Sequence, residues 1–82
     1  MSPVIYREHG CTFYFVFADL SEPPHIHVGE GKARRSDDAK IWLSPVGLAR
    51  ASRFDSRTIG RILKIVATHQ QEFLAEWNTH DQ

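Results

Sequence analysis

Two histidines separated by one residue are the strongest candidates for chemistry in this chain. His25 and His27 follow Pro23 and Pro24, which remove two backbone donors and favour an extended backbone. Alternate side chains of a β-strand share a face, so both imidazoles should point the same way. Imidazole can bind a metal, a phosphate or an acidic group, and it can transfer protons near neutral pH.

This histidine pair leaves several interpretations open. In a purely structural role, one ring would hydrogen-bond the backbone and the other would be exposed. A transition-metal site would need a third ligand; Glu30 is close in sequence, and the chain also offers His9, His69 and His80. A ribonuclease-type hydrolase would use His25 and His27 for acid–base catalysis. We expect no cofactor, because the chain has no Gly-rich phosphate loop, CxxC pair or HExxH motif.

A basic stripe is the second candidate feature. Its members are spaced by four, four and three residues, which places them on one face of a helix: Arg53, Arg57, Arg61 and Lys64. The stripe falls in the N-terminal half of the predicted helix, where the helix dipole disfavours cations. It therefore indicates contact with an acidic partner or a nucleic-acid backbone, and the alternative is a solvated helix face.

The elements that must position these residues are strands followed by a helix. Alternating and β-branched residues predict four strands, over Val4–Glu8, Cys11–Ala18, His25–Gly29 and Ala39–Leu43. A 3.6-residue apolar period predicts one long helix from Ser56 to Asn78, with Asp55 as its N-cap. A short helical turn over Val46–Ala51 is an additional expectation. The fold class is α+β, a small antiparallel sheet of about four strands packed by one long C-terminal helix.

The predicted core combines one strand face with the apolar helix stripe. It comprises Phe13, Phe15, Phe17, Ile41, Leu43, Ile59, Ile62, Leu63, Val66, Phe73, Leu74 and Trp77. Eighty-two residues predict a single domain spanning 1–82 and only marginal stability, so a small protein partner or a homodimer is expected. No apolar stretch reaches the roughly 20 residues that cross a bilayer, and a single cysteine fits the cytoplasm.

The net charge of zero conceals an uneven distribution. Nine basic and three acidic residues lie between Lys32 and Lys64, a balance of +6, and the remainder carries −6. Such a split favours a dipolar surface with one basic patch.

Three separated motifs resemble the small bacterial domain-of-unknown-function family numbered forty-one-sixty. They are PPHIHV at 23–28, AKIWLSPV at 39–46 and EWN at 76–78. The likeness extends over nearly the full chain and departs from the family at 32–38, where KARRSDD replaces a short Gly-rich turn. The resemblance implies a cytoplasmic bacterial protein, encoded beside another small domain in a pair that resembles a toxin–antitoxin module. It brings no catalytic residue with it.

The leading functional hypothesis is therefore a binding or regulatory module of such a two-gene pair. In this hypothesis the histidine pair lies on or near a functional surface, and the basic stripe contacts the partner or nucleic acid. The ribonuclease and the metal-binding protein remain the two alternatives.

Overall fold

The computed structural model describes residues 4–16, 21–32 and 34–80. In these ranges five strands precede two helices: β1 (Val4–Glu8), β2 (Cys11–Tyr14), β3 (His25–Glu30), β4 (Ala39–Leu43), β5 (Val46–Arg50), α1 (Ser56–Thr68) and α2 (Gln70–His80). The strands form one antiparallel sheet in chain order, with β1 and β5 at its edges. The α+β class is confirmed. β2 ends at Tyr14 where a strand to Ala18 was predicted; Phe15 and Val16 lie outside any strand, and 17–18 are outside the described residues. Two larger differences concern β5 and the helix.

The fifth strand is the first correction, because Val46–Ala51 was expected to contain a helical turn. Only Ser44 and Pro45 separate β4 from β5, so the chain reverses at once and Val46 pairs with Leu43. Val46 and Leu48 alternate with small residues, which suits a strand at a sheet edge. The sheet therefore has five strands, one more than the sequence indicated.

The second correction is the break in the helix at His69, where one continuous helix was expected. His69 caps α1 with φ −104° and ψ 15°, and its backbone N–H still donates to the carbonyl of Ile65 at 3.1 Å. The break lets the side-chain amide of Gln70 donate to the carbonyl of Leu43 at 2.7 Å. Phe73 N–H donates to the His69 carbonyl at 2.9 Å, so the apolar period continues across the break and hides it in the sequence.

The core lies between the helices and one face of the sheet. Rings from the two layers meet there, with Phe13 6.2 Å from Phe73 and Phe15 5.4 Å from Trp77 between centroids. Most predicted core residues are buried: Phe13, Phe15, Ile41, Leu43, Ile59, Ile62, Val66, Phe73 and Trp77. Leu63 and Leu74 are only partly buried against this cluster, and Phe17 lies outside the described residues. Neither α1 nor α2, the helices of the described residues, covers the opposite sheet face, which bears the histidines.

Candidate functional site

His25 opens β3 and is completely buried. Its ring centroid lies 5.8 Å from that of Trp42 and 5.1 Å from that of Trp77. Its Nδ1 is 2.9 Å from the carbonyl oxygen of Pro23, so the two prolines also fix the orientation of the imidazole. The environment of His25 is that of a packed side chain at the end of the sheet.

His27 shares the helix-free face with His25, and their ring centroids are 5.2 Å apart. Its register partners are Tyr14 on β2 and Lys40 on β4. The His27 ring stacks on Tyr14 at 5.5 Å and retains 7% of its accessible surface. Of the two histidines, only His27 reaches a surface groove.

Glu30 lies on the other face of the sheet from the histidines. Its register partner is Cys11, which belongs to the core, and directly paired residues share a face. The sheet therefore separates Glu30 from His25 and His27. Within residues 4–16, 21–32 and 34–80, no three His, Cys, Asp or Glu side chains converge where a metal ion could be held.

A polar row crosses four strands on the helix-free face. Successive register pairs connect Tyr14 to His27, His27 to Lys40, and Lys40 to Arg50. The row forms the floor of a groove of about 350 Å³, whose remaining lining is Val16, Glu22, Arg35 and Ser36. Lys40 is paired with the carboxylate of Glu22, and its Nζ lies 5.0 Å from the Trp42 ring centroid.

The loop residues at 34–38 are anchored to the sheet by Asp38. The Tyr14 hydroxyl donates to Asp38 Oδ2 at 2.6 Å, and the Arg35 backbone N–H donates to the same oxygen at 3.0 Å. Burial, together with this bond to a carboxylate, raises the pKa of Tyr14. Arg50 completes the anchor, because its Nε and Nη2 donate to the Asp38 carbonyl at 3.0 and 2.7 Å.

Gly29 is required beneath this anchor. A Cβ atom at position 29 would lie 2.8 Å from Asp38 Cγ and closer still to its Oδ2. The Asp38 carboxylate thus occupies the space that any other residue at 29 would fill. Three residues that are separated in sequence therefore meet here: Tyr14 on β2, Gly29 on β3 and Asp38 in the loop.

Three members of the basic stripe, Arg57, Arg61 and Lys64, are exposed on α1. The prediction that Arg53 shares their helix face is wrong, because Arg53 lies in the turn before the Asp55 N-cap. The Asp55 carboxylate accepts from Thr58 N–H at 2.8 Å, and this bond lowers the pKa of Asp55. Arg53 is 3.3 Å from an Asp37 oxygen, whereas the other three members, Arg57, Arg61 and Lys64, make no ion pair with any described residue. Arg61 and Lys64 border a groove of about 230 Å³ against the β1–β2 turn.

The structure thus separates the sequence candidates onto two surfaces. The histidines belong to the helix-free sheet face, and Arg57, Arg61 and Lys64 belong to α1. Sequence reasoning missed Tyr14, Asp38 and Arg50, which join strands far apart in sequence. For Tyr14, the sequence did contain a signal. Tyr14 alternates with the core residues Phe13 and Phe15, which places the Tyr14 side chain on the same sheet face as the histidines.

These features define a small α+β module with a meandering five-stranded sheet and a polar groove on its helix-free face. The model of a domain of unknown function, DUF4160, matches residues 10–78. Since this match covers most of the 82 residues, the chain belongs to the DUF4160 family. No curated protein and no solved structure matches the chain. Among the described residues, no helix is both long and apolar enough to cross a membrane.

Proposed function

We propose that this protein is a binding module that engages a small acidic protein through the basic stripe on α1. The partner would be the other member of a two-gene, toxin–antitoxin-like pair, as the family resemblance implies, in the bacterial cytoplasm. The observation that carries the proposal is the set of three exposed cations, Arg57, Arg61 and Lys64, without ion pairs among the described residues. A second copy of the chain and a nucleic-acid backbone are the competing occupants.

The position of these cations supports an intermolecular role. Arg57 lies in the first turn of α1, where the helix dipole disfavours positive charge. That turn contains no acidic residue, although the N-cap Asp55 supplies one carboxylate at its start. A partner carboxylate would relieve both this effect and the repulsion between neighbouring cations. The groove beside Arg61 and Lys64 provides a concave surface for a partner side chain.

The buried histidine weighs against the two alternatives that depend on the pair. A ribonuclease that used His25 directly would have to open the packing of Trp42 and Trp77 before RNA could contact the ring. A metal site that used Glu30 would require that residue to cross to the other face of the sheet. Neither rearrangement is needed for binding through α1.

Charge reversal tests the proposal directly. Arg57→Glu with Arg61→Glu should weaken the complex with the neighbouring gene product by at least roughly tenfold, since two attractive contacts become repulsive. Isothermal titration calorimetry with untagged proteins, at two salt concentrations, measures this effect. The matched control is Arg7→Glu with Lys32→Glu, which makes the same charge change at exposed positions away from α1.

Three results would contradict the proposal. One is an unchanged affinity for the stripe variant, and another is an equal loss in the control. The third is that nuclease treatment removes the molecule bound to the basic stripe, because this would show that the stripe binds nucleic acid. Circular dichroism melts should show both variants folded, because exposed substitutions typically change stability by no more than about 0.5 kcal/mol.

A further inference from the structure

The groove on the helix-free sheet face has a charge imbalance that the fold does not resolve. Lys40 and Arg50 are direct register partners, an arrangement of like charges that destabilises a sheet unless something compensates it. Glu22 neutralises Lys40, but Arg50 donates only to the main-chain carbonyls of Ser36 and Asp38. Carbonyls satisfy its hydrogen bonds and leave its positive charge in place.

A second uncompensated guanidinium borders the same groove. Arg35 borders the groove, and its guanidinium makes no ion pair with a carboxylate of the described residues. Glu22, the acidic residue of that lining, is already paired with Lys40. The Asp38 carboxylate is directed at Tyr14 and Gly29, and it does not line the groove. The groove therefore presents an excess of positive charge in a concave setting.

We propose that this groove binds a phosphate group, either as inorganic phosphate or on a small phosphate ester such as a nucleotide. Arg35 supplies a guanidinium group, whose forked donors match phosphate oxygens, and Arg50 adds positive charge. His27 lies on the floor between Tyr14 and Lys40. The volume of about 350 Å³ is at the lower end of the range of small-molecule sites.

The floor of the groove excludes recognition by base stacking. Single-stranded nucleic acids bind through exposed aromatic faces. Here Tyr14 is only 3% exposed and its ring is already stacked on His27. The groove therefore recognises the anionic group of the ligand. This site is separate from the partner surface proposed on α1, and the two proposals do not depend on each other.

A titration followed by ¹H–¹⁵N NMR tests the site, with inorganic phosphate, AMP and adenosine as probes at constant ionic strength set by sodium chloride. Phosphate and AMP should give saturable shifts at the backbone amides of groove residues, and adenosine should give none. Arg35→Gln should weaken phosphate binding about tenfold, the effect of losing a charge-assisted hydrogen bond. Arg35 is the preferred position because Arg50 also anchors the loop.

Arg7→Gln is the matched control, since Arg7 is exposed on β1 and lies outside this groove. Tighter binding of AMP than of phosphate would identify an ester as the source, and equal binding would identify the phosphate ion as sufficient. The proposal is overturned by an absence of saturable shifts, by shifts confined to α1, or by equal weakening in the Arg7 and Arg35 variants.

Discussion

The bond between Tyr14 and Asp38 makes the sharpest energetic prediction for this fold. Tyr14→Phe removes one oxygen atom and leaves a carboxylate, only 7% exposed, without its 2.6 Å donor. A hydrogen bond to a charged group contributes about 1.5–3 kcal/mol, and a buried acceptor left unpaired loses its hydration as well. Asp38 keeps the Arg35 N–H, so we expect a loss of about 2 kcal/mol in the free energy of unfolding.

This loss is large for a chain of this size. Eighty-two residues correspond to a total stability of roughly 4–12 kcal/mol. A change of about 2 kcal/mol in a domain of this length lowers the melting temperature by roughly 8–16 °C. Urea unfolding followed by circular dichroism measures the free energy, and thermal melts provide the second estimate.

A double-mutant cycle attributes the loss to the bond itself. Tyr14→Phe and Asp38→Ala should be strongly non-additive, with a coupling of about 2 kcal/mol, because either substitution alone already breaks the contact. Tyr6→Phe removes the same atom from a half-buried tyrosine whose hydroxyl bonds Glu8, and it should have a much smaller effect. Additive losses, or equal losses at Tyr6 and Tyr14, would refute the role assigned to Asp38.

Two further predictions concern the same anchor. Gly29→Ala should lower the free energy of unfolding by about 2 kcal/mol, because the new Cβ displaces the Asp38 carboxylate. In the Asp38→Ala background, the same Gly29→Ala substitution should lower it little further in the same urea assay. Equal losses from Gly29→Ala in both backgrounds would contradict this explanation. The folded-state pKa of Tyr14 lies above its unfolded value of 10.0. The contribution of Tyr14 to the free energy of unfolding is therefore complete below pH 10. It is lost as the pH rises further, by about 1.4 kcal/mol per pH unit. The stability difference between wild type and Tyr14→Phe should therefore narrow above pH 10, and a constant difference would show that Tyr14 titrates normally.

The secondary structure was largely predictable because most of its signals are local. Alternation gave β1 and β4 with their observed bounds, and the N-cap at Asp55 followed from one residue type before an apolar period. The break at His69 was not predictable in this way. Its neighbours keep a helical hydrogen-bond pattern, and the one gap in the apolar stripe, at Gln70, is compatible with a continuous helix. The contact of Gln70 with Leu43 that accompanies the break is tertiary.

The site was predictable only in part, for a related reason. The spacing of His25 and His27 indicated a shared face, but it carried no information on which ring would be covered. The covering of His25 depends on Trp77, more than fifty residues later in the chain. The polar row likewise depends on the register of three strand pairs, and register is decided by packing across the whole sheet.

The run KARRSDD at 32–38 connects the charge distribution to both proposed surfaces. Its two acids are engaged within the fold, Asp37 with Arg53 and Asp38 with Tyr14. Neither carboxylate lines the groove that Arg35 borders. The chain is therefore formally neutral and still has two basic surfaces, the stripe on α1 and the groove on the sheet. The acidic residues near them, Asp37 and Asp38, hold the loop in place.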